Sequence, residues 1–309
     1  MTQALARLQT GVPGLDAVLG GGLVVGASYI LQGHPGAGKT IFANQIAFKT
    51  AEKGRKALYV TLLAETHERL FQALGTLEFF DSSRLGIDVT YVSVFQTLRD
   101  EGLSAVVKLI RQEIARQGAT LLVFDGLLNA RDRADTQLDV KTFVAEVQSQ
   151  AAFVGCTVLF LTSSRIAEES PEHTMVDGVI DLHNELSGVR AVRRLQVKKS
   201  RGTAALGGHH QFEITSDGVA VFPRVEALLA HTSVPDHAPT GSVSSGTGGF
   251  DALVGGGLPE GSVSLVFGPS GSGKTSLGIN FLSLATQEQP ALHFGFYETS
   301  ARLRGKAAA

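Results

Sequence analysis

Cysteine is almost absent from this chain, since its 309 residues include a single one, Cys156. One cysteine cannot form an internal disulfide, and the apolar surroundings VGCTVLFL are typical of a small buried residue rather than a nucleophile. Apolar runs of the ~18–20 residues that cross a bilayer are also missing. The first residues, MTQALARLQTG, lack the long apolar stretch of a secretory signal. We therefore expect a cytoplasmic protein with no membrane contact.

A large excess of one charge is missing as well. The formal net charge is −2, and 43% of the residues are hydrophobic while 18% are charged. This composition is typical of a globular protein and excludes the disordered and collagen-like classes. It does not favour nucleic acid as the partner.

Two short glycine-rich stretches are present, GHPGAGKT at 33–40 and GPSGSGKT at 268–275. They are separated by a constant offset of 235, and fourteen of thirty positions are identical between 11–40 and 246–275. This self-similarity predicts a duplicated domain.

The repeat divides the chain into three parts. We expect a complete first domain over 1–230, because 231–246 has the Pro, Gly, Ser and Thr composition of a linker. On the same period a second domain would run well beyond residue 309, so we expect 247–309 to be its truncated N-terminal quarter, unable to build a sheet of its own.

Strand and helix patterns alternate in the first domain. Near-continuous apolar runs predict parallel strands covered on both faces, and the intervening patterns predict helices near 38–53, 101–117 and 137–153. After residue 178 the shorter alternating pieces GVIDLHN, AVRRLQVKK, HQFEIT and GVAVFP predict antiparallel strands at one edge. The sequence thus predicts an α/β fold, a mostly parallel sheet flanked by helices with an antiparallel β-rich C-terminal edge. The predicted strands are 28–33, 56–63, 88–95, 119–126 and 156–163, and the last two have the near-continuous apolar character of strands in a parallel sheet.

Both glycine-rich stretches fit the phosphate-loop pattern G-x-x-x-x-G-K-[ST]. Glycines let backbone N–H groups close around phosphate oxygens, the helix that follows offers its positive end, the lysine reaches the β- and γ-phosphates, and the threonine hydroxyl ligates Mg²⁺. We therefore predict ATP and Mg²⁺ as ligands, with Thr40 and Thr275 as metal ligands. The predicted ATP-binding residues are Gly33, His34, Pro35, Gly36, Ala37, Gly38, Lys39 and Thr40 in the first copy, and Gly268, Pro269, Ser270, Gly271, Ser272, Gly273, Lys274 and Thr275 in the second.

Carboxylates follow two of the predicted strands. Asp125 ends the run LLVFD, where a phosphate-loop protein places the acid that holds the metal. Glu65 follows the second strand, and Glu298 stands at a matching point of the repeat. Either a solvated residue that starts a helix or a group that polarises the attacking water would suit this position, and the recurring Glu-Thr pair favours the catalytic interpretation.

The stretch RAVRRLQVKKSRG over 190–202 is strongly basic. A solvated strand face and a nucleic-acid contact are two interpretations, the second weakened because no aromatic residues are interleaved. In the third, Lys199 and Arg201 are catalytic residues that reach the γ-phosphate in a neighbouring subunit.

These motifs, in this order, resemble those of the KaiC family of RecA-like ATPases. The resemblance covers most of 8–226 and restarts at 246. It implies a ring-forming ATPase, usually a hexamer, with ATP bound between subunits. Lys39, Thr40 and Asp125 match the ATP and Mg²⁺ positions, Glu65 the catalytic glutamate, and Lys199 and Arg201 the residues that complete the neighbour's site. The motifs are TGVPGLDAVLGGGL, GHPGAGKT, LYVTLLAET, LLVFDG, KKSRG and GHHQFEITSDGVAVFP.

The resemblance has two departures. The family's clock protein carries paired glutamates where this chain has Ala64-Glu65 and Tyr297-Glu298, so turnover is expected to be slower or differently tuned. The part of the second domain that carries kinase activity is not in this sequence, so we do not expect autophosphorylation.

Three functions remain open from the sequence. We favour an ATP-hydrolysing ring that acts as a signalling, timing or regulatory switch, with copies of itself as the partner. A nucleotide-sensing module with little hydrolysis is the second interpretation. A DNA-dependent ATPase of the RecA class is the third, and salt-sensitive DNA binding would support it.

Overall fold

A computed structural model describes residues 5–62, 67–126, 137–162, 171–229 and 240–308. The chain divides into two compact units, Met1–His231 and Thr232–Ala309. Each unit is described by itself.

The first unit alternates strands and helices. It also contains a short 3₁₀ helix, Ser82–Arg84. The strands are β1 (Arg7–Leu8), β2 (Leu23–Val24), β3 (Ser28–Gly33), β4 (Lys56–Thr61), β5 (Val89–Ser93), β6 (Ala119–Asp125), β7 (Thr157–Thr162), β8 (Gly178–Ser187), β9 (Arg190–Ser200), β10 (His209–Thr215) and β11 (Gly218–Phe222). The helices are α1 (Leu15–Val18), α2 (Lys39–Glu52), α3 (Glu68–Leu74), α4 (Phe95–Glu101), α5 (Leu103–Gln117), α6 (Gln137–Phe153), α7 (Pro171–Met175) and α8 (Val225–Leu228).

One large sheet organises this unit. Its strand order is β11-β10-β9-β8-β3-β7-β6-β4-β5 in the described part of the chain. The strands from β8 to β5 pair in parallel, and β9, β10 and β11 continue as antiparallel strands. This confirms the α/β fold with a mostly parallel sheet and an antiparallel edge.

The direction of β8 corrects one detail of the sequence analysis. The segment GVIDLHN was expected to be antiparallel, but β8 runs parallel to β3 and only its other edge pairs antiparallel, with β9. The chain reaches β8 from β7 through α7, and a crossover of this kind returns the chain in the same direction.

The sheet is buried on both faces. On β3, Leu31 lies in the core on the α2 side, and Ile30 lies in the core that contains α5 and α6 residues. Both side chains are fully buried. Burial on two faces explains why these strands are apolar throughout rather than alternating.

The antiparallel edge is fastened to α2. The Gln45 side chain donates to the Val219 carbonyl at 3.0 Å and accepts from the Val219 N–H at 2.6 Å. The rings of Phe42 and Phe212 meet edge to face with centroids 6.1 Å apart. These contacts hold β10 and β11 against the helix that follows the first phosphate loop.

The second unit contains two-residue strands and short helices in its described residues. Residues 262–269, which align in the repeat with β3 and the start of the first phosphate loop, form no strand. Leu265 and Val266 are 74% and 50% exposed, whereas Ile30 and Leu31, at the same positions of the repeat, are buried. The elements are β12 (Ser242–Val243), α9 (Gly248–Leu253), β13 (Leu258–Pro259), α10 (Lys274–Ser283) and α11 (Ser300–Ala308).

None of the helices in the described ranges is long and apolar enough to cross a membrane.

Candidate functional site

The first phosphate loop joins the end of β3 to the start of α2. Gly36 and Gly38 have φ angles of 79° and 99°, in the left-handed region that favours glycine. A Cβ on Gly38 would also lie 2.5 Å from Cδ1 of Ile214 on β10. The residues at 34–36 are exposed, so the loop opens outward with the N-terminus of α2 beneath it. An open loop on a helix N-terminus is suited to bind an anion.

The Lys39 ammonium is folded over this loop. Its Nζ donates to the Gly33 carbonyl at 2.8 Å and to the His34 carbonyl at 3.0 Å. Burial lowers the pKa of Lys39, while the nearby charge of Asp125 acts to raise it. The carbonyls of the loop therefore hold the Lys39 ammonium in place.

Asp125 lies at the C-terminal end of β6 and meets the start of α2. Its carboxylate accepts a hydrogen bond from the Tyr59 hydroxyl at 3.2 Å, and the Thr40 side chain is close enough to favour its charged form. Burial raises the pKa of Asp125, and the Tyr59 bond, the Lys39 charge and the Thr40 side chain each oppose that rise. The structure thus brings Lys39, Thr40 and Asp125 together, although Asp125 lies 85 positions after Thr40 in the chain.

The donor set at this point suits Mg²⁺ rather than a softer metal. Among the described residues, no group of three or more His, Cys, Asp or Glu side chains could hold a metal by itself. Thr40 and Asp125 provide one hydroxyl and one carboxylate, the hard oxygen donors that Mg²⁺ takes together with phosphate oxygens and water. The residues fit a metal that arrives with the nucleotide.

A second layer of polar and aromatic groups, which the sequence analysis missed, supports these residues. Asn44 Nδ2 donates to the Thr40 carbonyl at 2.8 Å, and the Tyr91 hydroxyl donates to Asn44 Oδ1. The rings of Tyr59 and Tyr91 stack with centroids 5.0 Å apart. Burial raises the pKa of both phenols well above the ordinary value, so both remain hydrogen-bond donors at neutral pH. No motif marks these residues, because each lies within an ordinary strand or helix pattern.

Tyr59→Phe should narrow the pH range of Mg²⁺-dependent nucleotide binding. The substitution removes a hydrogen bond that favours the charged form of Asp125, so its pKa, already raised, rises further. As the pH falls, the Asp125 carboxyl of the variant becomes protonated at a higher pH than in the parent. The loss of Mg²⁺-ATP binding on the acidic side should therefore also occur at a higher pH. Titration of Mg²⁺-ATP binding between pH 5 and about 8 measures this loss. Tyr91→Phe removes a phenol that bonds Asn44 instead, and an equal displacement in both variants would contradict the assignment.

Glu65, the proposed catalytic glutamate, and its neighbour Ala64 lie outside the described residues. His67 follows shortly after, and its Nε2 lies 2.7 Å from Thr61 Oγ1 at the end of β4. Thr61 is the register partner of Asp125 across β4 and β6. Burial lowers the pKa of His67, which favours a neutral imidazole at pH 7. His67 therefore lies at the end of β4, the strand that pairs with the one carrying Asp125.

Lys199 and Arg201 do not contact the phosphate loop in the described interactions. Lys199 pairs with Val179, which pairs with Ile30, so its backbone lies two strands across and three residues along from Gly33. That separation is roughly 14 Å at ordinary strand spacings. Lys199 Nζ donates instead to the His173 and Thr174 carbonyls at 2.6 and 3.1 Å, and Arg201 donates to the Thr174 carbonyl at 3.1 Å.

Burial lowers the pKa of Lys199, and the charge of Arg201 lowers it further, while Asp177 acts in the opposite direction. Two cations are thus held together at one helix end, away from their own chain's phosphate loop.

The second phosphate loop has the same local backbone as the first. Gly271 and Gly273 have φ angles of 82° and 84°, and Lys274 Nζ donates to the Gly268 and Pro269 carbonyls at 2.7 and 2.6 Å. Thr275 and Glu298 line one shallow depression of about 320 Å³. Glu298 is paired with Lys306 at 2.7 Å. The local sequence therefore reproduces the loop, while the strand beneath it is not formed.

Comparison with known proteins covers nearly the whole chain. The family model "ATPase: KaiC" matches residues 8–226 and 243–309. The chain is 28% identical over 318 residues to the circadian clock oscillator protein KaiC of Synechococcus elongatus, covering 97% of this chain and 60% of that protein. It is 28% identical over 317 residues to the protein of the same name from Acaryochloris marina, covering 98% and 60%. The chain thus spans about 60% of the length of these relatives.

Proposed function

This chain belongs to the KaiC family of ATPases, and from that premise we propose that its first unit binds ATP with Mg²⁺ and hydrolyses it. The observation that carries the proposal is the meeting of Lys39, Thr40 and Asp125 at one edge of the sheet. A cation, a hydroxyl and a carboxylate around an open glycine loop are the groups that a nucleoside triphosphate and its metal require.

Each residue has a proposed role, which for Lys39, Thr40 and Asp125 is supported by position and for Glu65 by the family resemblance. Backbone N–H groups of the loop bind the β- and γ-phosphate oxygens, and Lys39 exchanges its two carbonyl partners for phosphate oxygens. Thr40 and Asp125 hold the Mg²⁺, which neutralises charge that develops on the phosphates. Glu65 orients the attacking water and accepts its proton.

We further propose that the ATP-binding site is completed at an interface between copies of the chain. Lys199 and Arg201 bond to α7 carbonyls rather than to their own phosphate loop, and together they form a paired cation cluster. Cations supplied in trans stabilise the charge of the transferring phosphoryl group. This arrangement requires an assembly of several copies, and the family resemblance implies a ring, usually a hexamer.

The two units have different proposed roles. We propose that 1–230 is the working ATPase domain, that 231–246 is a linker, and that 247–309 is the start of a second domain of the same family. The second loop, Gly268–Thr275, has the local conformation to bind phosphate, and Thr275 would be its metal ligand. We propose that it contributes little turnover, because the carboxylate that it faces, Glu298, is engaged by Lys306.

The biological role that we propose is a signalling, timing or regulatory switch in which ATP turnover changes the state of the assembly. The relatives that support it are named as circadian clock oscillator proteins. Protein kinase activity is not part of the proposal. A nucleotide sensor with little hydrolysis is favoured by one observation, that Lys199 and Arg201 are bonded to their own chain.

Substituting Glu65→Gln tests the hydrolytic function. We expect it to keep ATP binding and to lower Mg²⁺-dependent phosphate release by about 100-fold or more, because it removes the proton acceptor while preserving shape. Phosphate release with and without Mg²⁺, together with ATP binding by calorimetry, measures both quantities. Glu68→Gln, on the first turn of α3, is the matched control. Parent protein that binds ATP without releasing phosphate at any protein concentration would leave the sensor as the function.

A further inference from the structure

His173 is a buried histidine that neither the motifs nor the proposed chemistry uses. It lies on α7 and is 7% exposed. Its Nε2 lies 2.8 Å from Oε1 of Gln32, and an amide oxygen in that position accepts the imidazole N–H. Gln32 is the residue before Gly33, where the phosphate loop begins.

The backbone of the same short helix holds the two cations. The His173 carbonyl accepts from Lys199, and the Thr174 carbonyl accepts from both Lys199 and Arg201. Carbonyls at a helix C-terminus lack partners within the helix and carry partial negative charge, so cations are stabilised there. The side chain of His173 therefore faces the base of the phosphate loop, while its carbonyl holds Lys199.

The position of α7 depends on contacts such as this one. A helix of five residues is too short to be stable by itself, so tertiary contacts must hold it in place. Gln32 is fully buried, and its amide nitrogen has no hydrogen-bond partner in the described part of the chain. The bond to His173 therefore ties the side chain of Gln32 to α7.

We propose that His173 is a positioning residue that sets where Lys199 and Arg201 stand, and that links them to the phosphate loop of their own subunit through Gln32. The inference rests on the proposed role of the two cations in trans. A shift of the end of β3 when nucleotide binds would be passed to α7 and from there to the cations. One subunit's nucleotide state then governs how it engages its neighbour's nucleotide.

A mixing experiment separates this role from general support of the fold. Donor subunits carry Glu65→Gln, which leaves their own site inactive and their cations intact. Acceptor subunits carry Lys199→Ala and Arg201→Ala, which leaves the water-activating residue intact. Turnover in the mixture then comes from acceptor sites completed by a donor.

Placing His173→Leu in the donor should lower turnover of the mixture by about tenfold, the effect of losing one buried hydrogen bond. Placing it in the acceptor should leave turnover nearly unchanged. His173→Gln in the donor should restore most of the activity, since its amide N–H can donate to Gln32. His209→Gln, at an exposed position of β10, is the control, and thermal melting checks that each variant is folded.

Three results would overturn the inference. An equal loss from donor and acceptor would mean that His173 supports each subunit's own fold or site. No loss of turnover from His173→Leu in either the donor or the acceptor would mean that His173 does not position the cations. A mixture of the parent donor and acceptor that shows no turnover, when unmodified protein does, would disprove the role in trans and the inference with it. That last result can be distinguished from a failure of the His173 inference alone, because it is obtained with donor and acceptor subunits in which His173 is unchanged.

Discussion

Lys39→Ala should lower ATP turnover by at least about 100-fold, the scale of losing one positioned charge on a developing anion. The ammonium now held by the Gly33 and His34 carbonyls is the group that would meet the β- and γ-phosphates. Its removal takes away the positive charge and leaves the glycine backbone of the loop intact. Phosphate release under saturating Mg²⁺-ATP, with binding measured separately, gives the effect on turnover and on affinity.

The repeat supplies a matched control, Lys274→Ala. Lys274 has the same bonds to the carbonyls of its own loop as Lys39. It follows a segment, residues 262–269, that forms no strand, and a loop needs a fixed strand to position its phosphate contacts. Lys274→Ala should therefore keep most of the turnover. Equal losses from the two variants would contradict the assignment of chemistry to the first loop.

Removing the two cations at the C-terminal end of β9, Lys199 and Arg201, is the second large effect. Arg201→Ala combined with Lys199→Ala should lower kcat by roughly 1,000-fold, the scale reported for a cation supplied in trans to a phosphoryl transfer. ATP affinity should change little, because both side chains bond to α7 carbonyls rather than to their own loop. Arg190→Ala, at the exposed start of β9, controls for loss of basic charge in the same strand.

Protein concentration distinguishes action in trans from action in cis. If a neighbour completes the site, turnover per subunit of the unmodified protein should rise steeply as copies assemble. The doubly substituted protein should remain flat and low over the same range. A parent rate that is independent of concentration while the protein is shown by sedimentation to be monomeric would refute the role of Lys199 and Arg201 in trans.

Local features of this protein were determined by the sequence alone. Glycines at 36 and 38 adopt the left-handed backbone that the phosphate-loop pattern requires, and Gly271 and Gly273 of the second loop do the same although their surroundings differ. The strand at 28–33 and the helix at 137–153 also lie where their patterns predicted them. These features are local, because φ preferences and hydrophobic periodicity act over a few residues.

Short or irregular elements were not predictable in the same way. Helices α3 and α4 have seven residues each, too few for a periodic pattern to be distinguished from a loop. The direction of β8 was predicted wrongly as antiparallel, because the residue pattern of GVIDLHN carries no information on strand direction. Direction came from the crossover through α7.

The remaining parts of the site were decided by tertiary structure. Strand order brings Asp125 to Thr40, places Tyr59 on the carboxylate, and stacks Tyr91 beside it. It also sets Lys199 at a helix end instead of at its own phosphate loop, and seats His173 against Gln32. Such contacts join residues far apart in the chain, and no local pattern records them, since they follow from which strands pair and which helix covers them. The sequence determined that a phosphate loop forms here, and only the folded sheet decided which side chains surround it.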